Sequence, residues 1–285
     1  IMDEEWHIVE RGNSFNLTRT LKDLKEYKDL IFLFFKRDIK SSYQQTILGP
    51  LWLIIQPLFT SVVFTIVFGS IAKIQTPPNI SSFAFYLLGL SFWNFFAECF
   101  NKISVTFTAN SSVFAKVYFP RLTVPISVIL SGLFKFSVQF VLFLIVYLYG
   151  VFFQGVNAQP NITMFIIPFY LLLLAMFALG LGLIVSSFTT KYRDLTMLVG
   201  FGIQLLMYAT PIAYPLFAVD IHSFFYRLLL ANPLAGIIEG CKFAFTSNGL
   251  FSINLLLLDT TIIILTLLTG MFIFSKVEKR FMDTV

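Results

Sequence analysis

Ionisable side chains are scarce in the apolar stretches of this 285-residue chain, and the few that occur there are the first candidates for chemistry. Glu98, Lys135 and Asp259 each fall inside such a stretch, as do the amides Gln139 and Gln204. A charge at membrane depth is costly and by default marks a function, a pairing or a water-lined cavity. Glu98 precedes Lys102 by one helical turn, a spacing that predicts a local ion pair. Lys135 stands near the middle of its stretch. Two readings fit it, a cavity or interprotomer contact and a stem that snorkels towards water. Asp259 would face protein or water in the last apolar stretch.

No reaction centre emerges. His7 and His222 have neither metal-ligand spacing nor a nucleophile nearby, and Cys99 and Cys241 are expected on opposite sides of a membrane, where they cannot pair. There is no serine elbow, no pair of carboxylates and no Gly-x-x-x-x-Gly-Lys-[Ser/Thr] phosphate loop, so the chain is not an ATPase of that type. No catalytic residue and no metal ligand is expected.

The elements that carry these residues follow from composition. Hydrophobic residues make up 57%, charged residues 12%, and 36 positions are phenylalanine. A soluble domain has about twice that share of charge, and the mean hydropathy of +0.83 points the same way. No charge occurs between Lys40 and Lys73, Lys73 and Glu98, Lys135 and Lys191, or Asp194 and Asp220. A hydrocarbon core about 30 Å thick takes roughly 20 residues of helix to cross. An all-α membrane protein with six transmembrane helices is therefore predicted, near residues 46–72, 83–100, 125–150, 162–189, 195–217 and 251–275. The first apolar stretch starts only after about 45 residues, so no cleavable signal is expected, and Ile1 ahead of Met2 reads as a cloning remnant.

Sixteen Lys and Arg fall on the side of the N-terminus and three (Lys73, Arg227, Lys242) on the other. This bias predicts cytoplasmic N- and C-termini and accounts for the net charge of +5 without nucleic acid. Residues 1–45 form a cytoplasmic tail with an amphipathic helix from Thr20 to about Tyr43. Leu21, Leu24, Ile31, Phe34, Phe35 and Ile39 line one face, and such a helix lies in the membrane interface or packs on a partner. Residues 46–285 form the transmembrane domain. Its segment 218–250 is apolar but broken at Pro233 and Gly236, which predicts re-entrant outer helices between the fifth and sixth spans. Trp52, Trp93, Tyr86 and Tyr214 read first as membrane-belt anchors. A second reading has some of them stacking on sugar rings along a pathway.

The stretch Arg37-Asp38-Ile39-Lys40-Ser41-Ser42-Tyr43, continuing through Gly49-Pro50-Leu51-Trp52 to Gln56-Pro57, resembles the opening of ABC-2 type transporter permeases. Trp93-Asn94-Phe95-Phe96, Lys116 to Arg121, Tyr208 to Ile212 and Asn232-Pro233-Leu234 are similar to further stretches of that family, in the same order. The resemblance is to the group that exports O-antigen, capsular polysaccharide or teichoic acid. It implies a permease in the inner membrane of a bacterium, paired as a homodimer, with two separate nucleotide-binding subunits that hold ATP and Mg. It implies an interface helix with Arg37, Asp38, Lys40 and Tyr43, and ATPase coupling through Phe119, Pro120, Arg121, Tyr192, Arg193 and Asp194. Trp52, Trp93, Lys135 and Tyr208 are then candidates for the translocation path of a lipid-linked glycan, and Asn232 and Pro233 for an outer gate. The family often flanks the tyrosine with basic residues, whereas Ser42 and Gln44 here are neutral. The alternative is an exporter of a small molecule or drug from the same superfamily.

Overall fold

The structure, a computed structural model, describes residues 17–117, 119–153, 155–157, 160–192, 194–216, 219–220, 222–249 and 251–282, with side chains described between 22 and 278. Their regular secondary structure is entirely helical. Two helices, α1 (Leu17–Glu26) and α2 (Lys28–Tyr43), precede the first apolar span. That span combines a 3-10 turn (Gly49–Leu51), α3 (Trp52–Phe64) and a π-helical end (Thr65–Ile71). Then come α4 (Ser82–Ser104), the short α5 (Thr106–Ala109) and α6 (Ser111–Phe114), and α7 (Thr123–Phe153). A 3-10 turn (Ile162–Ile166) leads into α8 (Ile167–Thr189), followed by α9 (Leu195–Tyr208), α10 (Phe224–Leu230), α11 (Pro233–Thr246) and α12 (Ile253–Met282).

Among the described residues five helices are long and apolar enough to cross a membrane, Gly49–Ile71, Ser82–Ser104, Thr123–Phe153, Ile162–Thr189 and Ile253–Glu278, and six such spans result if the bent pair α10–α11 counts as one. The expected fifth span, 195–217, is shorter than predicted. Its helix α9 has 14 residues, about 21 Å at 1.5 Å per residue. It stops at Tyr208 because Thr210-Pro211 follows, and the proline has no N–H to continue the ladder. The helices α10 and α11 meet at 84°. The amphipathic helix is likewise two pieces, broken at Tyr27, and it begins at Leu17, ahead of the expected start at Thr20.

The bundle is organised on α4. Of its apolar window 78% is buried, against 11% for the first span and 22% for α7 and α12, so α4 is the axis on which α3, α7, α8 and α11 pack. Phenylalanine fills this interior. Phe92 meets Phe136 edge-on at 4.9 Å, Phe143 meets Phe245 at 4.8 Å, and Phe96 stacks between Phe100 and Phe177. The α8–α12 crossing is closer still. A Cβ on Gly180 would lie 2.8 Å from the Leu267 backbone, and one on Gly270 would lie 2.4 Å from the Gly180 carbonyl. Small residues let membrane helices approach to backbone contact, where dispersion replaces the hydrophobic effect as the source of cohesion. Apolar side chains such as Phe59, Phe152, Met197 and Phe201 are exposed on the flanks. That suits a lipid surround and would not suit water.

Candidate functional site

Two of the three charged residues named first in the sequence, Glu98 and Lys135, come together in a cavity of about 390 Å³ between α2, the first span, α4 and α7, whereas Asp259 is buried apart from it, against Gly236 of α11. The cavity is lined by Tyr43, Trp52, Gln56, Glu98, Lys135 and Gln139, among others. Glu98 lies on α4 and accepts at one oxygen from Lys135 Nζ at 2.6 Å and from Lys102 Nζ at 2.8 Å. Helix periodicity sets the second contact; α4–α7 packing sets the first. Two ammonium groups and one carboxylate leave the cavity with an excess positive charge. Trp52 exposes part of its ring to the same space, and Tyr43 brings a hydroxyl from the end of α2, its ring 5.8 Å from Lys135 Nζ. Burial, and then the nearby Glu98 carboxylate, push the Tyr43 hydroxyl above its ordinary pKa. It is therefore a neutral donor at physiological pH. Such a wall can bind an anion beside a hydroxyl-rich group, with an aromatic face for stacking.

On the side of α1 and α2, residues 119–122 of the loop that follows α6 are fastened inward. Phe119 is buried, its ring 5.6 Å from both Phe34 on α2 and Phe114. Arg121 is 5% exposed and lies over the Phe114 and Phe107 rings. It donates through its guanidinium to the Glu278 carbonyl, and its backbone N–H donates to the Glu278 carboxylate. The loop thus links α2 to the end of α12. Pro120 sits between these anchors, half-buried. Among the described residues, Lys116 and Val117 on this loop face outward, as do Lys191 and Tyr192 on the next. Asp194 is exposed and accepts from the Leu195 N–H at the start of α9. Arg193 lies outside the described residues.

At the opposite end, α11 is buried along most of its length among α4, α8 and α12. Asn232 accepts from Leu234 N–H and donates to the Ala209 carbonyl and to Thr210 Oγ1 at 3.1 and 3.3 Å. Pro233 occupies the first helical position, where a missing N–H costs nothing. Lys242 is fully enclosed, its ammonium donating to the Pro211 and Ile212 carbonyls and standing 4.0 Å over the Phe85 ring. Glu239 accepts from Leu216 N–H.

The remaining sequence candidates fall as follows. Arg37 is exposed, paired with Asp38 and stacked on Phe34, and Lys40 is exposed on the same helix. Tyr208 is exposed at the end of α9, whereas Trp93 is buried against Phe96 inside the chain's own core. The cavity brings Tyr43, Trp52 and Lys135 together but not Trp93 or Tyr208. The buried roles of Glu239, Lys242 and Glu278 escaped sequence reasoning, which had placed Lys242 among outward basic residues. One signal was available: Glu239 and Lys242 are spaced to share a helix face within an apolar stretch.

The family model described as ABC-2 type transporter matches residues 29–246. The O-antigen export system permease protein RfbA of Klebsiella pneumoniae is 30% identical over 258 residues, 90% of this chain and 94% of that protein. RfbA of Myxococcus xanthus is 24% identical over 94% of this chain and 100% of its own length. The polysialic acid transport protein KpsM of Escherichia coli is 26% identical over 88% and 94%. With the family model covering the helices that build both the cavity and the α9–α11 end, this multi-pass chain belongs to the ABC-2 type transporter membrane family.

Proposed function

We propose that this chain is the permease subunit of an ATP-driven exporter that carries a lipid-linked polysaccharide across the cytoplasmic membrane. The observation that carries the reading is the near end-to-end match to O-antigen and polysialic acid permeases. In this reading two copies of the chain enclose the pathway, the α1–α2 end faces the cytoplasm, and two separate subunits bind ATP and Mg.

Force from the ATPase enters through the exposed Tyr192, Lys191 and Val117. The buried Phe119 and Arg121 pass it to α2 and to α12 through Phe34 and Glu278. The cavity receives the anionic end of the lipid-linked glycan. Lys102 and Lys135 supply from α4 and α7 the positive charge that the neutral neighbours of Tyr43 lack. Trp52 and Tyr208 offer faces on which sugars stack without strict sequence specificity. Asn232 and Pro233 stand at the outer gate.

The test is co-purification of the chain with an ABC ATPase subunit, followed by ATP turnover with and without lipid-linked polysaccharide. A stable complex whose turnover responds to the glycan lipid supports the reading. A chain that binds no ATPase and still moves solute in vesicles would overturn it.

A further inference from the structure

The hairpin between the fifth and sixth spans has two unlike halves. The helix α10 is thinly packed. Phe224, Phe225 and Leu228 are exposed, and it is held by a satellite cluster of Leu216, Tyr226 and Leu229 that is separate from the main core. By contrast, α11 is fixed at every level. Its last carbonyls are met from three other elements: Ala244 by Asn161 N–H, Phe245 by the Tyr147 hydroxyl and Thr246 by Asn79. Its middle presses on α8 and α12 so closely that a Cβ on Gly240 would lie 2.3 Å from the Tyr170 hydroxyl, and one on Gly236 would lie 2.0 Å from Asp259.

The same helix repairs the broken end of α9. Non-helical backbone at membrane depth survives only where protein satisfies its polar groups, and the last carbonyls of a helix have no partner of their own. Asn232 meets the Ala209 carbonyl, Lys242 the Pro211 and Ile212 carbonyls, and Glu239 the Leu216 N–H. A cation at the negative end of the α9 dipole adds to this.

We infer that α11 is a stationary post and not the moving part of the gate. Lys242 pins the end of α9 to it, and opening consists of α10 swinging about Asn232-Pro233 as its satellite cluster separates. Elements with few buried contacts open at low free energy, and those with many do not. The inference rests on the export reading only in supposing that opening accompanies ATP turnover.

Two cysteines provide the test. Native Cys241 on α11 is fully buried, and Leu229→Cys places a second thiol in the satellite cluster. The assembled complex is labelled with N-ethylmaleimide at rest and during ATP turnover with glycan lipid, and each site is quantified by mass spectrometry. Cys99, buried in the core, serves as the reference for intact packing. The expected result is Cys241 labelling unchanged by turnover and at least tenfold faster labelling at position 229. A rise at Cys241 in the unmodified chain during turnover would overturn the post, and an unresponsive position 229 would overturn the swing. Absence of any glycan-dependent turnover would count against the export reading instead, and is seen before labelling begins.

Discussion

Glu98 and Lys135 lie 37 residues apart and meet at 2.6 Å across the α4–α7 interface, on the same carboxylate oxygen that Lys102 reaches at 2.8 Å. One acid is therefore shared between a cation from its own helix and one from its neighbour, and the trio keeps a net positive charge. The three groups differ in what they leave behind when removed.

Glu98→Gln leaves two ammonium groups facing each other across the cavity, whereas Lys135→Met leaves Glu98 still paired with Lys102. Glu98→Gln is expected to lower the thermal midpoint of the purified protein by several degrees, and Lys135→Met by less. Removing one partner of an enclosed pair costs more than replacing both with apolar groups. The double variant should therefore fall short of the sum of the two losses. A thermal-shift double-mutant cycle checks this, and additive losses would mean the pair contributes nothing.

Arg121 and Tyr192 separate transmission from docking. Arg121→Ala removes a buried cation from two rings and from the Glu278 carbonyl, so it should destabilise the chain by about 2 kcal/mol or more. Tyr192→Ala should leave stability within about 0.5 kcal/mol, as exposed substitutions do, and both it and charge reversal at Arg193 should uncouple export from ATP hydrolysis. Melting curves beside ATPase and export assays decide it. Unchanged export in both loop variants would remove them from the docking surface.

Lys242→Met keeps the volume of the side chain and deletes its charge. The Pro211 and Ile212 carbonyls lose their donor, and Glu239 loses its neighbouring cation, so a loss of about 3–5 kcal/mol is expected. Read by thermal unfolding in detergent, a loss below 1 kcal/mol would show that the end of α9 is held by something else.

Gly180→Ala should part α8 from α12, because the new Cβ would meet backbone, which cannot rotate away. Overpacking of this kind costs about 1–3 kcal/mol. Cross-linking yield between α8 and α12 should fall along with the melting temperature.

The parts of this architecture that were legible in the sequence are local. Uncharged windows mark four of the long spans because the hydrocarbon core excludes charge over a fixed thickness, and Glu98–Lys102 follows from helical spacing. Other parts depend on distant partners. Pro211 marks the end of α9 locally, but nothing local tells that Lys242, 31 residues on, will satisfy the broken backbone there. The loop around Phe119 and Arg121 reads as an exposed aromatic and basic motif until Glu278, 157 residues away, is brought beside it.

The unequal burial of the first two spans also bears on how the chain is made. The first span stays largely uncovered by the rest of the molecule, and it is rich enough in apolar residues to rest in lipid as soon as it leaves the translocation machinery. The second is the least apolar of the five and ends enclosed by α3, α7, α8 and α11. Emerging early, it carries Glu98 and Lys102 into the bilayer before Lys135 has been synthesised. Its stable residence must therefore wait for helices encoded later. The packing of α4 is thus completed out of chain order, when helices encoded after it close around it.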